Sequence, residues 1–486
     1  MKRLLFLAHR WLGIVLCLFM MLWFFSGVVM MYVGYPKLTQ QEHLQHLPKL
    51  SGDCCLPAQA VLAALPPGES AQGLRLTSTG NGPVYIVTLE KNRFVALDAR
   101  TGAVLPAVDK AVALKSAALF APNQPLQYRD LMVEDAWTHS RALDGHRPLH
   151  RIEAGGQGET LVYVSGKTGE VVRDASLTER RWNWVGAWLH WLYPLRGGSL
   201  NGWWTAIVVY SSLAATLLSA LGLWIGVLRW RRRRYNNGSH SPYRTQVGRW
   251  HHWSGLIFGV LVVTWILSGL MSMNPWRIFD SSTARPVRQA LQMAVASLDS
   301  AAQLACLQRN GFTAVELVWT RLGDAGFVLA RNARGESRLQ PESRCDPMVR
   351  HDFSALETAG AALLPAASVK SATIQEMYDW HYYTRDEHTM SGHLERPLPV
   401  LRLQFDDAAG TWLYLDPHSG NVVHRSDRPG RVKRVLFALL HSWDWAPLLA
   451  NRPLWDVLMI LGSLGGFMVS LTGVLLGWRR LVRCAC

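Results

Sequence analysis

Four long stretches of this chain contain no Asp, Glu, Lys or Arg. They are residues 11–33, 203–228, 251–273 and 457–478 of a sequence of 486 residues. Each has the roughly 20 residues that a helix needs to cross the hydrocarbon core of a bilayer. The absence of charge over these lengths excludes a fully water-soluble chain and predicts an integral membrane protein with four membrane-spanning helices.

Acidic residues are missing from three basic segments that border these stretches. Residues 1–10, 229–250 and 479–486 hold thirteen Lys and Arg residues and no Asp or Glu, in a chain of net charge +15. Positively charged loops stay on the cytoplasmic side of a membrane. We therefore expect a bacterial inner-membrane protein with both termini in the cytoplasm and with segments 34–202 and 274–456 in the periplasm. This placement of the charge excludes nucleic-acid binding.

Nucleotide-binding motifs are also lacking. Gly166-Lys167-Thr168 is like the end of a phosphate-binding loop, but Leu161 stands where that motif needs a glycine. No G-x-G-x-x-G sequence follows a predicted strand and opens a helix. The sequence therefore predicts no nicotinamide or flavin site of its own.

The chain does contain a histidine-headed membrane stretch that occurs twice. A shift of 242 positions aligns His9 with His251, Trp11 with Trp253, Gly13 with Gly255, and Ser26-Gly27 with Ser268-Gly269. A polar side chain at the same depth of two membrane helices is unfavourable in lipid unless it has a partner or a ligand. The alignment indicates an internal duplication.

A second pair of histidines lies at the other end of the predicted bundle. A shift of 251 positions aligns His190 with His441, Tyr163 with Tyr414, Gly222 with Gly473 and Gly226 with Gly477. Iron in a b-type haem takes two axial imidazoles, and histidines on helices position them rigidly. We predict that His9 pairs with His251, that His190 pairs with His441, and that each pair holds one haem b.

Small residues beside the first pair give the prediction a steric basis. Gly13 and Gly255 lie four positions after the histidines, on the same helical face, where a larger side chain would obstruct a porphyrin. His252 is an alternative to His251, because neighbouring helical positions point about 100° apart and only one can face the ring. Glycine pairs in membrane helices also serve helix packing, and interfacial histidines also contact headgroups, so these alternatives stay open.

The outer segments repeat as well. Residues 94–102 are similar to 327–335, and residues 163–172 to 414–423; each reads as a strand, a turn ending in Gly and a second strand. Pro57–Leu65 and Thr283–Leu307 are compatible with helices. We predict two small α+β domains outside the membrane. Cys306 and Cys345 could pair in an oxidising compartment, the adjacency of Cys54 and Cys55 disfavours a bond between them, and Cys17, Cys484 and Cys486 are expected to be free.

An aromatic and polar cluster in the second outer segment is a candidate for substrate contact. The residues proposed for such contact are His381, Tyr382, Tyr383 and His388. Imidazole and phenol groups suit ferric iron or a ferric chelate. Dense aromatic sequence beside a membrane also serves packing, so both readings stay open.

Several of these motifs together resemble the PepSY-associated transmembrane family. They are residues 9–13, Tyr378–Tyr383, Arg396-Pro397-Leu398-Pro399, 412–420, 440–444 and 473–480. The resemblance implies PepSY-like outer domains and an iron-regulated inner-membrane protein. Some members are similar to ferrioxamine reductases, which carry two haems and reduce ferric siderophores. It thus implies axial-ligand roles for His9, His251, His190 and His441.

The resulting hypothesis is a haem-containing electron conduit, an oxidoreductase that passes electrons from a quinol or cytoplasmic donor to a periplasmic ferric siderophore or other ferric chelate. The rival hypotheses are a PepSY-type binding or regulatory module and a metal or siderophore permease. The predicted order is 1–33 (cytoplasmic N-terminus and first helix), 34–202 (first PepSY-like domain), 203–228 (second helix), 229–250 (cytoplasmic loop), 251–273 (third helix), 274–456 (second PepSY-like domain) and 457–486 (fourth helix and cytoplasmic tail).

Overall fold

The computed structural model describes residues 2–52, 54–65, 68–196, 199–281, 299–386, 389 and 394–485. Its helices, in chain order, are α1 (Lys2–Tyr32), α2 (Gln40–Gln45), α3 (Ala58–Ala63), α4 (Lys110–Phe120), α5 (Leu177–Val185), α6 (Ala187–His190), α7 (Trp204–Arg229), α8 (Gln246–Ser272), α9 (Ser300–Arg309), α10 (Phe353–Ala361), α11 (Arg428–Lys433), α12 (Leu440–Ser442), α13 (Ala446–Leu449) and α14 (Arg452–Ala485). A π-helical turn, Arg434–Leu439, joins α11 to α12.

Four of these helices are long and apolar enough to cross a membrane: α1, α7, α8 and α14. The four uncharged stretches of the sequence fall on them. Helix α1 contacts α7 and α14, and α8 contacts the same two helices, so α1 and α8 face each other across the bundle. Large apolar side chains such as Val15, Leu217, Ile257 and Leu464 are exposed on the outside. An outer surface of this kind suits a lipid environment.

The two ends of the bundle differ in the segments that are attached to them. The start of α1, the loop between α7 and α8 and the end of α14 lie at one end, which we call the arginine-rich end. Thr245 begins α8 there, because its side-chain oxygen accepts a hydrogen bond from the Gly248 amide at 3.2 Å. The two long segments that follow α1 and α8 leave from the opposite end, which we call the sheet end.

The long segments form three antiparallel sheets. Their strands are β1 (Gly73–Thr79), β2 (Gly82–Thr88), β3 (Phe94–Asp98), β4 (Leu126–Met132), β5 (Leu149–Ala154), β6 (Thr160–Ser165), β7 (Val171–Ser176), β8 (Glu316–Leu322), β9 (Ala325–Arg331), β10 (Ser337–Pro341), β11 (Val369–Gln375), β12 (Val400–Phe405), β13 (Trp412–Leu415) and β14 (Val422–Ser426). The first sheet has the order β10-β9-β8-β1-β2-β3, and the others are β4-β5-β6-β7 and β11-β12-β13-β14.

The six-stranded sheet is built from both segments. Strands β1 and β8 pair at its centre, with Arg75 opposite Val318 and Leu76 opposite Leu317. Each segment alone would form a three-stranded sheet in which β1 or β8 is an open edge. The pairing of β1 with β8 covers these two edges. The sequence predicts two separate outer domains, whereas the structure joins them through this shared sheet.

Each four-stranded sheet belongs to one segment and carries one packed helix. Helix α4 lies against β4–β7, and α10 lies against the second sheet. The β6–β7 and β13–β14 hairpins confirm the hairpins predicted from residues 163–172 and 414–423. Gly169 and Gly420 end these turns with φ values of +77° and +73°, which glycine adopts without strain.

A buried ion cluster holds the six-stranded sheet against the first four-stranded sheet. Arg75 lies 2.6 Å from the Glu170 carboxylate and 2.8 Å from that of Glu316. Arg331 contacts the other Glu316 oxygen at 2.9 Å. Because both carboxylates are almost fully buried, each depends on these guanidinium groups.

The cysteines agree with the sequence analysis at one pair and differ at another. Cys306 and Cys345 form a disulfide, and Cys17 is free and buried. Cys54 and Cys55 are bonded to each other, although their adjacency disfavours such a bond. The other two outer cysteines pair together, so the neighbouring thiol is the partner that remains.

Candidate functional site

The structure brings His9 and His251 together at the arginine-rich end. His9 lies on α1 and His251 on α8, and their ring centres are 6.3 Å apart with an interplanar angle of 40°. Because α1 and α8 do not sit side by side but face each other across the bundle, the two rings point into its centre. This is the pairing that the sequence predicts.

A large cavity surrounds this first pair. Its volume is about 660 Å³, within the roughly 300–1,000 Å³ of pockets that hold small molecules and cofactors. Glycines form much of its wall, and cationic side chains lie on its rim. The glycines are Gly13, Gly222, Gly226, Gly248, Gly255, Gly259, Gly473 and Gly477, and the cations are Arg3, Arg10 and Arg480.

The glycines nearest to the imidazoles are not those predicted from spacing. A Cβ on Gly222 would lie 2.6 Å from His9 Cε1, and one on Gly473 would lie 3.6 Å from His251 Cε1. Gly13 and Gly255 line the cavity, but a Cβ on Gly255 would meet no atom within 4 Å. The 251-position shift that aligns Gly222 with Gly473 was the signal in the sequence, where G-x-x-x-G spacing suggested only helix packing.

The second pair, His190 and His441, meets at the sheet end. Their ring centres are 6.0 Å apart, with an interplanar angle of 68°. The short helix α6 lays His190 against α1, and α12 lays His441 against α8. The backbones of α1 and α8 pass next to these rings at glycines. A Cβ on Gly27 would lie 3.7 Å from His190 Cε1, and one on Gly269 would lie 3.5 Å from His441 Cε1.

Hydrogen bonds fix the tautomer of both rings in the second pair. Ser26 donates its hydroxyl hydrogen to the Leu22 carbonyl at 2.7 Å, so its oxygen accepts from His190 Nδ1 at 3.1 Å. Ser268 likewise donates to the Trp265 carbonyl at 2.9 Å and accepts from His441 Nδ1 at 3.1 Å. With the proton on Nδ1, each Nε2 keeps a free lone pair. Metal-binding histidines are held in this way.

His251 in the first pair has the same arrangement. Its Nδ1 lies 3.0 Å from Thr472 Oγ1 and 3.2 Å from the Val469 carbonyl oxygen. The Thr472 hydroxyl itself donates to the Met468 carbonyl at 2.7 Å. The proton of His251 is therefore on Nδ1, and Nε2 is again free.

His9 is the exception among the four. Its Nδ1 is buried without a hydrogen bond of good geometry among the described residues, although the Leu218 carbonyl is close enough to act on it. Leu218 and Leu221 occupy, at the 251-position shift, the places of Val469 and Thr472. The first half therefore keeps the carbonyl but lacks the hydroxyl.

The alternative residue His252 has no free nitrogen. Its Nε2 donates to the Gly226 carbonyl at 2.9 Å, and its Nδ1 lies 2.9 Å from the Ser241 hydroxyl. His252 thus ties the loop between α7 and α8 to the end of α7. Between the two neighbours, His251 is the one positioned for a ligand.

The spacing of both pairs fits one metal ion between two rings. A metal-bound imidazole nitrogen lies about 2 Å from the metal and the ring centre about 1 Å farther, so two such rings have centres about 6 Å apart. The two pairs have 6.3 and 6.0 Å. Two imidazoles per site are also the number of ligands that a b-type haem iron takes from a protein.

The residues predicted for substrate contact divide into three groups. Tyr382 is fully buried, stacks on Tyr414 at 4.8 Å and donates to the Pro397 carbonyl at 2.7 Å, so it is a packing residue. Tyr383 and His381 are partly exposed. His388 lies outside the described residues. Among the described members of this set, His381 and Tyr383 therefore retain a surface that a ligand could reach.

Tyr383 belongs to a charged network next to the second pair. Its hydroxyl donates to Asp444 Oδ2 at 2.9 Å, and Arg434 lies 4.2 Å above its ring. Arg385 pairs with the same carboxylate, which is almost fully buried. Asp444 follows His441 by three positions, and burial next to this carboxylate raises the pKa of Tyr383. Asp444 belongs to the 440–444 motif, but sequence reasoning missed the network that it forms with Tyr383 and the two arginines.

The comparisons with known proteins agree with the sequence motifs. Residues 6–294 match the family described as the PepSY-associated TM region. No match was found among curated proteins. The matched part includes α1, α7, α8 and the first four-stranded sheet, and it ends in the second long segment, so the motifs of residues 378–480 lie beyond it. Because the match covers more than half of the chain, the prediction of this family is confirmed: the chain belongs to the PepSY-associated transmembrane family.

Proposed function

We propose that this chain holds two b-type haems and conducts electrons across the membrane to a ferric siderophore or another ferric chelate. The observation that carries the proposal is the presence of two facing imidazole pairs, 6.3 and 6.0 Å apart, at opposite ends of one helix bundle. A single pair would also suit a structural contact. Two pairs, with three of four Nδ1 atoms bonded to a helix hydroxyl, indicate a repeated ligand function.

At the arginine-rich end, His9 and His251 would hold one haem. The glycine wall of the cavity leaves space for a flat macrocycle between the helices. Arg3, Arg10 and Arg480 line the same cavity and would pair with the carboxylate groups at the haem edge, since guanidinium groups bind carboxylates in a two-pronged geometry.

At the sheet end, His190 and His441 would hold the other haem. Ser26 and Ser268 hold their Nδ1 atoms and so orient each ring. Bound haem would supply one-electron redox chemistry, while the protein sets its position and its environment. Each transferred electron would convert one Fe(III) ion of the chelate to Fe(II), and a quinol or a cytoplasmic reductant would be oxidised in return.

Orientation follows from charge and from the outer disulfide. The arginine-rich end would face the cytoplasm of a bacterium, by the positive-inside rule. The sheet end would face the periplasm, where a bond such as Cys306–Cys345 persists. The two four-stranded sheets with their packed helices would be PepSY-like domains, and the two halves would derive from an internal duplication.

Reconstitution in vesicles tests the transport of electrons directly. Purified protein in liposomes, with a quinol or dithionite enclosed and a ferric chelate outside, should form Fe(II) outside, detected with a ferrous-specific dye. Protein carrying His441→Ala should be inactive. Equal Fe(II) formation by empty liposomes and by protein-containing liposomes would contradict the proposal.

A further inference from the structure

The second four-stranded sheet carries a half-buried group of cationic side chains around one tryptophan. Arg431 lies 4.3 Å and Arg402 5.3 Å from the Trp412 ring centre. The His381 ring stands edge-on to the same indole at 5.4 Å. The positive charge of Arg434, like the charges of these two arginines, lowers the pKa of His381. We call these five residues the arginine pocket.

Polar atoms in this pocket lack partners. His381 Nδ1 and the Nε and Nη1 atoms of Arg434 are buried without a hydrogen bond to any described residue. Buried donors of this kind are rare in folded proteins and usually meet water, an ion or a ligand. Burial also lowers the pKa of His381, which leaves the three guanidinium groups as the cations of the pocket.

The arginine pocket and the matching place in the first sheet differ at several positions. The 251-position shift places Arg434 where the first half has Asn183, and Trp412 where it has Leu161. The same shift replaces acidic residues of the first half by arginine or glycine: Asp174 by Arg425, Glu179 by Gly430 and Glu159 by Gly410. Asp379 is a carboxylate next to the arginine pocket. It accepts hydrogen bonds from Arg402 at 3.1 Å and from the backbone amides of His381 and Tyr382.

Glycine takes the place of one acid directly beside the pocket. A Cβ on Gly410 would lie 3.2 Å from Arg431 Nη2, so a side chain here would touch the guanidinium group. Asp407 and Asp427 also act on Arg431; Asp407 accepts a hydrogen bond from the Thr411 amide at 2.6 Å, and Asp427 accepts one from the Gly430 amide at the start of α11. Asp379 and Asp444 act on Arg434. The case for an anion therefore rests on the unpartnered Arg434 donors and not on an excess of positive charge.

The pocket is joined to the second histidine pair. Arg434 begins the π-helical turn that leads into α12 and His441, and Phe437 of this turn lies 5.5 Å from the His441 ring. Arg434 also donates to the Asp444 carbonyl. His441 follows Arg434 by seven positions of helix, which is roughly two turns.

We propose that the arginine pocket binds ferric chelates of net negative charge, such as carboxylate or catecholate complexes, next to the His190–His441 pair. This proposal rests on the proposed function and specifies its substrate class. Guanidinium groups bind anionic oxygens in pairs, and Trp412 holds Arg431 and Arg402 in place through cation–π contacts. Hydroxamate complexes, which carry no net negative charge, gain nothing from these arginines.

Binding of redox-inert gallium chelates tests the pocket without electron transfer. Full-length purified protein should bind Ga(III)–citrate, and Arg431→Gln should weaken this binding about tenfold or more, as for loss of a hydrogen bond to a charged group. Arg180→Gln, the matching position of the first sheet, should change it less than about twofold. Ga(III)–desferrioxamine should bind equally weakly to all three proteins.

Two further readouts keep the test decisive. Affinity of the unsubstituted protein for Ga(III)–citrate should fall as salt increases, which needs no variant. Arg434→Gln should weaken binding like Arg431→Gln while the protein still elutes as one species. If haem and ferric reduction are present but Arg431→Gln and Arg180→Gln bind Ga(III)–citrate equally, the pocket assignment is wrong and the proposed function stands. If haem is absent but Arg431-dependent binding persists, the reverse holds.

Discussion

In the first half of the chain, α1 carries His9 and α6 carries His190; in the second half, α8 carries His251 and α12 carries His441. The two halves thus supply one ring to each pair. Around the rings the halves share a nearby glycine, and three of the four rings share a helix hydroxyl on Nδ1. Features common to both halves therefore concentrate where a symmetric ligand would bind.

The halves differ most in their four-stranded sheets. In the first sheet, Asp135 accepts from both Arg151 at 3.2 Å and Tyr163 at 2.8 Å, and Arg151 also pairs with Asp130. In the second sheet, Arg434 and His381 keep polar atoms without partners. Arg173 and Arg180 next to the first sheet also have a buried Nε atom without a partner, and Arg402 of the second sheet pairs with Asp379. The comparison teaches that the halves are alike around the histidines and differ in which charged residues surround each four-stranded sheet. In the proposed function, the cofactors would use both halves and the substrate one.

Removal of single histidines gives the largest expected effect. His9→Ala and His251→Ala should each abolish the haem at the arginine-rich end, and His190→Ala and His441→Ala the haem at the sheet end. Pyridine haemochrome quantification should give half of the normal haem in each case, because two ligands serve each iron. Full haem content in all four variants would refute the ligand assignment in both halves. His252→Ala is the matched control and should keep both haems.

Filling the space beside His9 should selectively disturb one site. In Gly222→Ala, the new Cβ would lie 2.6 Å from His9 Cε1, closer than non-bonded atoms approach, so the ring must move. We expect a loss of up to half of the haem, with the sheet-end haem retained. Gly202→Ala, where a Cβ meets nothing within 4 Å, should keep all haem. Equal spectra for both variants would contradict the placement of His9.

Removal of the hydroxyl beside His251 and addition of a hydroxyl beside His9 should shift the midpoint potential of the same haem in opposite directions. Thr472→Val removes an acceptor from His251 Nδ1, makes the ring a weaker donor and should raise the midpoint potential of the arginine-rich-end haem. Leu221→Thr offers His9 the missing hydroxyl and should lower it. Changes of this kind alter ligand affinity roughly 10–100-fold. Spectroelectrochemical titration measures both, and shifts of the same sign would argue against the tautomer assignment.

A pH effect on stability is the smallest expected result. Burial and the nearby Glu42 and Glu179 raise the pKa of Asp174 in the first sheet from 3.8 to about 7. Because the folded-state pKa exceeds the unfolded value, ionisation of this carboxyl group destabilises the fold. The free energy of unfolding is therefore highest below pH 3.8 and falls as the pH rises to about 7. Asp174→Asn should raise the unfolding midpoint at pH 8 by about 2–4 °C and have no such effect at pH 4. Arg425, the matching residue of the second sheet, should show no comparable pH dependence when replaced by Gln.

Much of the histidine site could be predicted because polar residues in membrane stretches are rare. The shifts of 242 and 251 positions were sufficient to pair all four rings, since they align residues at equivalent positions relative to the membrane stretches. The choice between His251 and His252 was not accessible, because it depends on contacts of His252 with Ser241 and Gly226. The alignment of Ser26 with Ser268 was visible, but its meaning depends on how α6 and α12 pack against α1 and α8.

The outer region was predictable only at the level of hairpins. Local turn residues indicated the β6–β7 and β13–β14 hairpins, whereas the β1–β8 pairing joins residues more than 200 positions apart and leaves no local pattern. Tyr382 was assigned to possible substrate contact, and its stacking on Tyr414 shows a packing role. The contacts of Arg434 with Tyr383 and Asp444 depend on the π-helical turn Arg434–Leu439, which the amino-acid sequence does not indicate.

The haem content of the purified, unsubstituted protein tests the central claim most directly. A pyridine haemochrome measurement, combined with a reduced-minus-oxidised absorption spectrum, should show two b-type haems per chain with sharp reduced α-bands. A colourless protein that folds and elutes as one species would contradict the account and would favour a membrane-anchored binding module instead.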